Sequence, residues 1–194
     1  MSGSTAEVKM LVRLLQPVEG FASHEAGSFV AQLDDQSRRL REDLEGITAE
    51  ELQWQPAPGM NTIGMILAHL ATVEVHWLNV GVLGIEAGRV SETLGIKENA
   101  DGIPLDGDAA PPADLSGKTF AWFQELEQTA RKHTYAALRA LPDGAMDEER
   151  ERFVKAHNLR IRHSVRWVLY HVLEHYAGHY GQILMLRHQY RTAH

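Results

Sequence analysis

The 194-residue sequence contains no cysteine. It therefore forms no disulfide, and any metal ion must be bound by nitrogen and oxygen ligands. Any thiol chemistry would also need a thiol supplied as a separate small molecule, because no side chain of this protein can provide a thiolate.

Positive charge is scarce as well. Lys and Arg number 19 against 26 Asp and Glu, so the formal net charge is −7. A protein whose main role is to bind nucleic acid needs clustered Lys and Arg to displace counterions from phosphates. We therefore expect no nucleic-acid partner, and the sequence also lacks a basic patch for a membrane surface.

Long uninterrupted apolar runs are absent. The longest, such as residues 65–68 and 80–85, are far shorter than the roughly 20 residues of a membrane-spanning helix. Residues 1–9 do not have the apolar core of a secretion signal. The sequence thus predicts a cytoplasmic protein that does not enter a membrane.

The composition that is present suits a globular protein, with 44% hydrophobic and 23% charged residues. A chain of this length can bury one substantial core. We predict a single domain over residues 1–194, in which residues 1–24 are an N-terminal extension with a short helix around residues 8–16.

Helical periodicity dominates the sequence, and no stretch alternates cleanly like a half-buried strand. The pattern predicts an all-α four-helix bundle, with helices at residues 25–46, 61–83, 118–141 and 164–187. Gly, Pro and Asp between residues 84 and 117 predict a long irregular loop, a type of segment that is usually a functional cover or mobile. Residues 143–162 are charged, and their secondary structure stays ambiguous.

Three histidines follow one another at four-residue spacing in the last predicted helix: His171, His175 and His179. Imidazoles at i and i+4 project from one helix face, so a single ion can bind either neighbouring pair. The outer two lie about 12 Å apart at ~1.5 Å per residue, so all three cannot bind one ion. His69 in the second predicted helix is the third candidate ligand. Three protein ligands would leave one coordination position open, as in catalytic zinc sites.

Ordinary hydrogen bonding of buried imidazoles is the alternative to a metal site. Several titratable imidazoles on one inner face would be costly to bury without a role, and this favours the metal. His76 lies about 10 Å from His69 along the helix, so we expect it at the pocket mouth rather than on the same ion. Six further histidines have polar or terminal settings and are expected to have no functional role: His24, His133, His157, His163, His188 and His194.

Other residues near these histidines have two interpretations each. Gln182 either orients a ligand imidazole or contacts a substrate, with a plain core amide as the alternative. Gly178 and Gly181 serve either close helix packing or an open coordination position, since glycine disfavours a helix interior. Glu74 is expected to pair with an arginine such as Arg166 rather than to act in catalysis.

Two segments resemble the hallmark regions of the DinB/YfiT-like metalloenzyme superfamily. They are Leu-Gln-Trp-Gln-Pro-Ala-Pro-Gly-Met-Asn-Thr-Ile-Gly-Met-Ile-Leu-Ala-His-Leu at residues 52–70 and His-Val-Leu-Glu-His-Tyr-Ala-Gly-His-Tyr-Gly-Gln-Ile at residues 171–183. The resemblance implies a four-helix bundle that holds a divalent metal, typically zinc or nickel. Transferred to this sequence, the ligands are His69, His175 and His179. Family members usually carry an arginine where this chain has Tyr180.

The same resemblance implies a function. Characterised relatives include S-transferases and isomerases that use a low-molecular-weight thiol such as bacillithiol or mycothiol, so we expect a metal-dependent transferase that activates a small thiol. A hydrolase that uses metal-bound water and a non-catalytic metal-binding stress protein are the alternatives, and a purely structural, metal-free homodimer is a third. A small-molecule substrate and a homodimer are expected, with His76, His171 and Gln182 as pocket candidates.

Overall fold

The computed structural model describes residues 10, 12–85, 89–97, 99–154 and 158–194. The protein is mostly helical, as predicted. Its α-helices are α1 (His24–Asp43), α2 (Ala49–Gln53), α3 (Ile63–Trp77), α4 (Val90–Leu94), α5 (Phe120–Leu138) and α6 (Val165–Ala193). A π-helical segment, Leu78–Leu83, continues α3, and the strands β1 (Glu149–Val154) and β2 (Leu159–Ser164) form an antiparallel hairpin.

Each of the four long helices begins at a serine or threonine cap. The capping hydroxyl accepts a hydrogen bond from the backbone N–H three residues later, which satisfies an amide that the helix cannot pair. The same arrangement starts α2, so the caps are Ser23, Thr48, Thr62, Thr119 and Ser164. The caps explain why the predicted helix starts lie within two residues of the observed ones.

Helix α3 lies at the centre of the packing. It contacts both α5 and α6, while α1 packs against α6. With its π-helical continuation, α3 is long and apolar enough to cross a bilayer by length and composition alone. Its most apolar window is nevertheless 67% buried within the protein, as expected for a core helix. Its buried apolar side chains include Ile63, Met65, Ile66, Leu70 and Val75.

The β1–β2 hairpin is the main departure from the predicted secondary structure. It occupies residues that the sequence left ambiguous, and it pairs Arg150 with His163 and Arg152 with Ile161. Successive side chains of a strand point to opposite faces, so Arg150, Arg152 and His163 share the more buried face. A hydrophobicity pattern does not show this alternation, because two of the three inward positions of β1 are arginines.

The segment between α3 and α5 is also more regular than predicted. Its described residues include α4 and a 3₁₀ turn at Ala113–Leu115. Val90 and Leu94 are buried, and α4 packs against α3 and α5. The predicted helix over residues 8–16 is absent from residues 10 and 12–16, the part of it that the structure describes. Leu14 and Leu15 are exposed there, and a short helix without a packed face is marginal in water.

Glu74 pairs with an arginine as predicted, but the partner is Arg131 and not Arg166. Glu74 is buried and accepts hydrogen bonds from Arg131 Nε at 2.9 Å and from Thr134 Oγ1 at 2.6 Å. Arg166 instead donates to Glu25, with Nε and Oε1 2.7 Å apart. Glu74 thus belongs to an internal polar network between α3 and α5. These contacts are consistent with the predicted structural, non-catalytic role of Glu74.

Two glycines offer a matched stability test. A Cβ at Gly81 would lie 2.6 Å from Cγ2 of the fully buried Val168, whereas a Cβ at Gly178 meets no atom within 4 Å. We expect Gly81→Ala to lower the free energy of unfolding by about 1–3 kcal/mol through overpacking. Gly178→Ala should raise it by about 0.5–1 kcal/mol because alanine favours a helix interior. Urea denaturation of both variants measures this, and equal changes would contradict the packing described.

Candidate metal centre

His69 of α3 meets His175 and His179 of α6 where the two helices pack. The Nε2 atom of His175 lies 3.2 Å from Nε2 of His69 and 3.1 Å from Nε2 of His179. The three ring nitrogens all fall within 4.8 Å of one another, and the three side chains are partly buried. Positions that are 106 residues apart in the chain therefore present three ligand atoms to one point.

The two distances from His175 fit a single ion. Zn–N bonds of ~2.0–2.1 Å in a tetrahedron hold neighbouring nitrogens roughly 3.3 Å apart. The Nδ1 atoms of the two outer rings are engaged elsewhere, at 2.8 Å from Oδ2 of Asp101 for His69 and at 2.8 Å from Oε1 of Gln182 for His179. Both oxygens accept hydrogen bonds, so Nδ1 carries the proton in each ring and Nε2 presents a lone pair.

Hydrogen bonds alone cannot account for the close nitrogens. A neutral His175 has one ring proton, so its Nε2 can donate to His69 or to His179 but not to both. At least one pair of lone pairs therefore faces each other at hydrogen-bond distance. A cation at the centre would satisfy all three nitrogens, and imidazole donors suit a divalent transition metal.

Burial keeps the imidazoles in the metal-binding form. Burial, followed by the nearby His179 and His69, lowers the pKa of His175 to about 3. The pKa of His179 is lowered as well, again mainly by burial. Metal binding requires neutral imidazole, so no proton has to be removed from His175 or His179 at neutral pH.

Asp101 is the site residue that the sequence did not reveal. Its buried carboxylate orients His69 in the carboxylate–imidazole pairing that commonly supports metal ligands, and Oδ1 accepts from Ile103 N at 3.4 Å. The only local signal is the Asp-Gly dipeptide with Gly102, which indicates a turn. Nothing in that dipeptide predicts a contact with α3.

The other predicted pocket histidines lie beside the triad rather than in it. His171 bonds through Nδ1 to Glu174 at 3.0 Å, and its ring centroid is 6.0 Å from that of His175. His76 is 3.3 Å from Arg152 through Nε2, and burial followed by the charge of Arg152 lowers its pKa. Of the two possible pairs on α6, the structure thus brings His175 and His179 to His69.

Four further positions of α6 lie close to the triad in the sequence. Gln182 is exposed, and it contacts His179 as the orienting interpretation requires. Gly178 and Gly181 have open space around them, so close packing within this chain does not explain either one. Tyr180 stands where members of the family usually carry an arginine. Its side chain is buried and its hydroxyl donates to Asp43, so this hydrogen bond joins α6 to α1.

One comparison with known proteins identifies a family for this chain. The model of the family described as Mycothiol-S-transferase matches residues 28–192, which include all four long helices apart from the first turn of α1. The search of curated proteins finds no match. Since the match spans most of the chain and includes His69, His175 and His179, this protein belongs to the mycothiol-S-transferase family, within the DinB/YfiT-like superfamily.

Proposed function

We propose that this protein is a metal-dependent S-transferase that joins the sulfur of mycothiol to a small electrophile. The observation that carries the proposal is the convergence of three Nε2 atoms within 3.2 Å of their neighbours on a chain that contains no thiol of its own. Family membership supports the thiol, and the donor set supports zinc or nickel.

In this proposal His69, His175 and His179 would hold a divalent ion. A divalent ion lowers the pKa of a bound thiol, so that the thiolate nucleophile is available at neutral pH. Asp101 and Gln182 fix the ring orientations through their contacts with Nδ1 atoms. The chain therefore supplies a prearranged set of lone pairs, with two of the three rings locked in the required tautomer.

His171 is our candidate for the proton acceptor. Glu174 accepts from its Nδ1, which leaves Nε2 with a lone pair one helical turn from His175. In the reaction the thiol proton moves to His171, the sulfur forms a bond to carbon, and the electrophile releases its leaving group or gains a proton. His171 is 24% exposed, so the proton can pass on to water.

Family membership also bears on how the helices are arranged. We infer that the four long helices α1, α3, α5 and α6 form the DinB/YfiT-type four-helix bundle as one domain. The contacts of α3 with α5 and α6, and those of α1 with α6, support this inference.

The test is a thiol-conjugation assay with zinc- or nickel-loaded protein. We expect mycothiol, in preference to glutathione, bacillithiol or coenzyme A, to be consumed with monochlorobimane as the electrophile. Asp101→Asn weakens the support of His69 and should reduce metal affinity or activity about 10–100-fold. Asp108→Asn, on an exposed part of the same segment, should leave both unchanged. Absence of metal-dependent turnover with every thiol would refute the proposal.

A further inference from the structure

A group of aromatic and basic side chains lies between the β1–β2 hairpin and the helices of the metal centre. We call it the hairpin cluster, and its members are Trp77, Arg152, His163, Trp167 and His171. The ring of His171 stacks on Trp167 with centroids 4.9 Å apart and planes 5° apart, and Trp77 lies edge-on to His171 at 4.8 Å. Because His171 is also next to His175, this aromatic surface continues into the metal centre.

Arg152 supplies a positive charge that no carboxylate of the described residues neutralises. Its guanidinium lies 4.6 Å from the ring centroid of Trp77, and Nη1 lies 3.3 Å from Nε2 of His76. The outward arginines of the same hairpin differ, because Arg160 pairs with Glu151 at 2.6 Å. On the inner face Arg150 pairs with Glu148 at 3.0 Å, so among the described inner arginines it is Arg152 whose charge stays without a carboxylate.

Unsatisfied polar atoms are concentrated at the same place. Five buried side-chain polar atoms have no hydrogen-bond partner in the part of the chain that the structure describes. Four of them belong to the hairpin, namely Nε of Arg150, Nε of Arg152 and both ring nitrogens of His163. His163 is only 6% exposed. Buried polar groups are almost always paired in native proteins, so this concentration points to a ligand.

We propose that the hairpin cluster binds the carboxylate end of a planar, unsaturated electrophile whose other end reaches the metal centre. A carboxylate matches the fork of N–H donors on Arg152 and the unpaired imidazole of His163. A flat conjugated body matches the rings of Trp77 and Trp167. Trp167 is 40% exposed, which leaves the cluster open to solvent on one side.

The distance between the hairpin cluster and the triad, measured along α3, fits an elongated ligand that contains a single ring. His76, which contacts Arg152, is seven residues from His69, and this corresponds to about 10 Å at ~1.5 Å per residue. The carboxylate of the ligand is thus held away from the ion. The reacting carbon, at the other end of the ligand, can approach the ion. The assignment of a reacting end rests on the proposed transferase function, whereas the binding of the carboxylate does not.

The test compares cinnamate with cinnamamide, which has the same planar body without the charge. Calorimetric titration of the metal-loaded protein should show about 10–100-fold tighter binding of cinnamate, as expected for charge-assisted hydrogen bonds. Arg152→Gln should abolish this preference, and Arg152→Lys should retain part of it. The matched control Arg160→Gln removes an arginine from the outer face and should bind both ligands like the wild type.

A further variant separates this inference from the proposed function. In His69→Ala we expect the preference for cinnamate to persist although thiol transfer is lost. A preference that survives Arg152→Gln would overturn the inference, and so would one that disappears in His69→Ala, because the carboxylate would then be bound by the ion. Circular dichroism of each variant confirms that the helices are retained.

Discussion

Replacement of His175 by alanine is expected to lower metal affinity about a thousandfold and to abolish thiol transfer. His175 is the central histidine of the candidate site, since its Nε2 lies within 3.2 Å of Nε2 in both other histidines. Zinc binding to well-formed sites is worth about 10–16 kcal/mol, and loss of one of three protein ligands should remove roughly 4 kcal/mol. A free-energy change of ~4 kcal/mol corresponds to a thousandfold change in affinity.

Metal content after purification without added metal, followed by competition with a chelator, measures this effect. His188→Ala is the matched control, because His188 lies on the same helix and is exposed. It should retain stoichiometric metal. Stoichiometric, equally tight metal in His175→Ala would exclude the triad as the binding site, whatever reaction the protein catalyses.

Glu74→Ala should lower the free energy of unfolding by about 3–5 kcal/mol, the usual cost of leaving one member of a buried ion pair uncompensated. Glu74 has a side chain that is 2% exposed, and Arg131 is 11% exposed. Burial alone would lower the pKa of Arg131, but the carboxylates of Glu74, Glu127 and Asp34 raise it overall. Arg131 therefore stays charged in the variant, and only the carboxylates of Glu127 and Asp34 remain to compensate its charge.

Urea denaturation again provides the measurement. Glu42→Ala removes a surface partner of Arg38, an exposed pair at i and i+4, and should change the free energy of unfolding by no more than about 0.5 kcal/mol. The double variant Glu74→Leu with Arg131→Met should recover much of the loss, because neither charge is then buried. Similar values for Glu74→Ala and Glu42→Ala would show that the internal network contributes no more than a surface pair.

The sequence was sufficient to predict the long helices because their signals are local. Apolar periodicity identifies each helix, and a capping hydroxyl such as Thr62 or Ser164 marks its start within a residue or two. The histidine spacing on α6 is a local signal too. This spacing limits the candidate ligands on α6 to two neighbouring histidine pairs, and the family resemblance favours the pair of His175 and His179.

The remaining features depend on contacts that are distant in the chain. Asp101 meets His69 across 32 residues, and its own neighbourhood indicates only a turn. The hairpin was missed because inward-facing arginines hide the period of two that a strand shows. His163 was dismissed for its polar surroundings in the sequence, yet strand pairing opposite Arg150 buries it.

The hydrogen bond between Asp101 and His69 would link an ion bound at the triad to the chain between α3 and α5. Asp101 is carried by that connecting segment, whereas the three histidines are carried by long packed helices. Thermodynamic linkage is reciprocal, so whatever tightens the ion in its site must to the same extent favour the conformation in which Asp101 is docked. The segment is in this sense a reporter of metal occupancy, and its rate of cleavage by a protease should fall as the ion is bound.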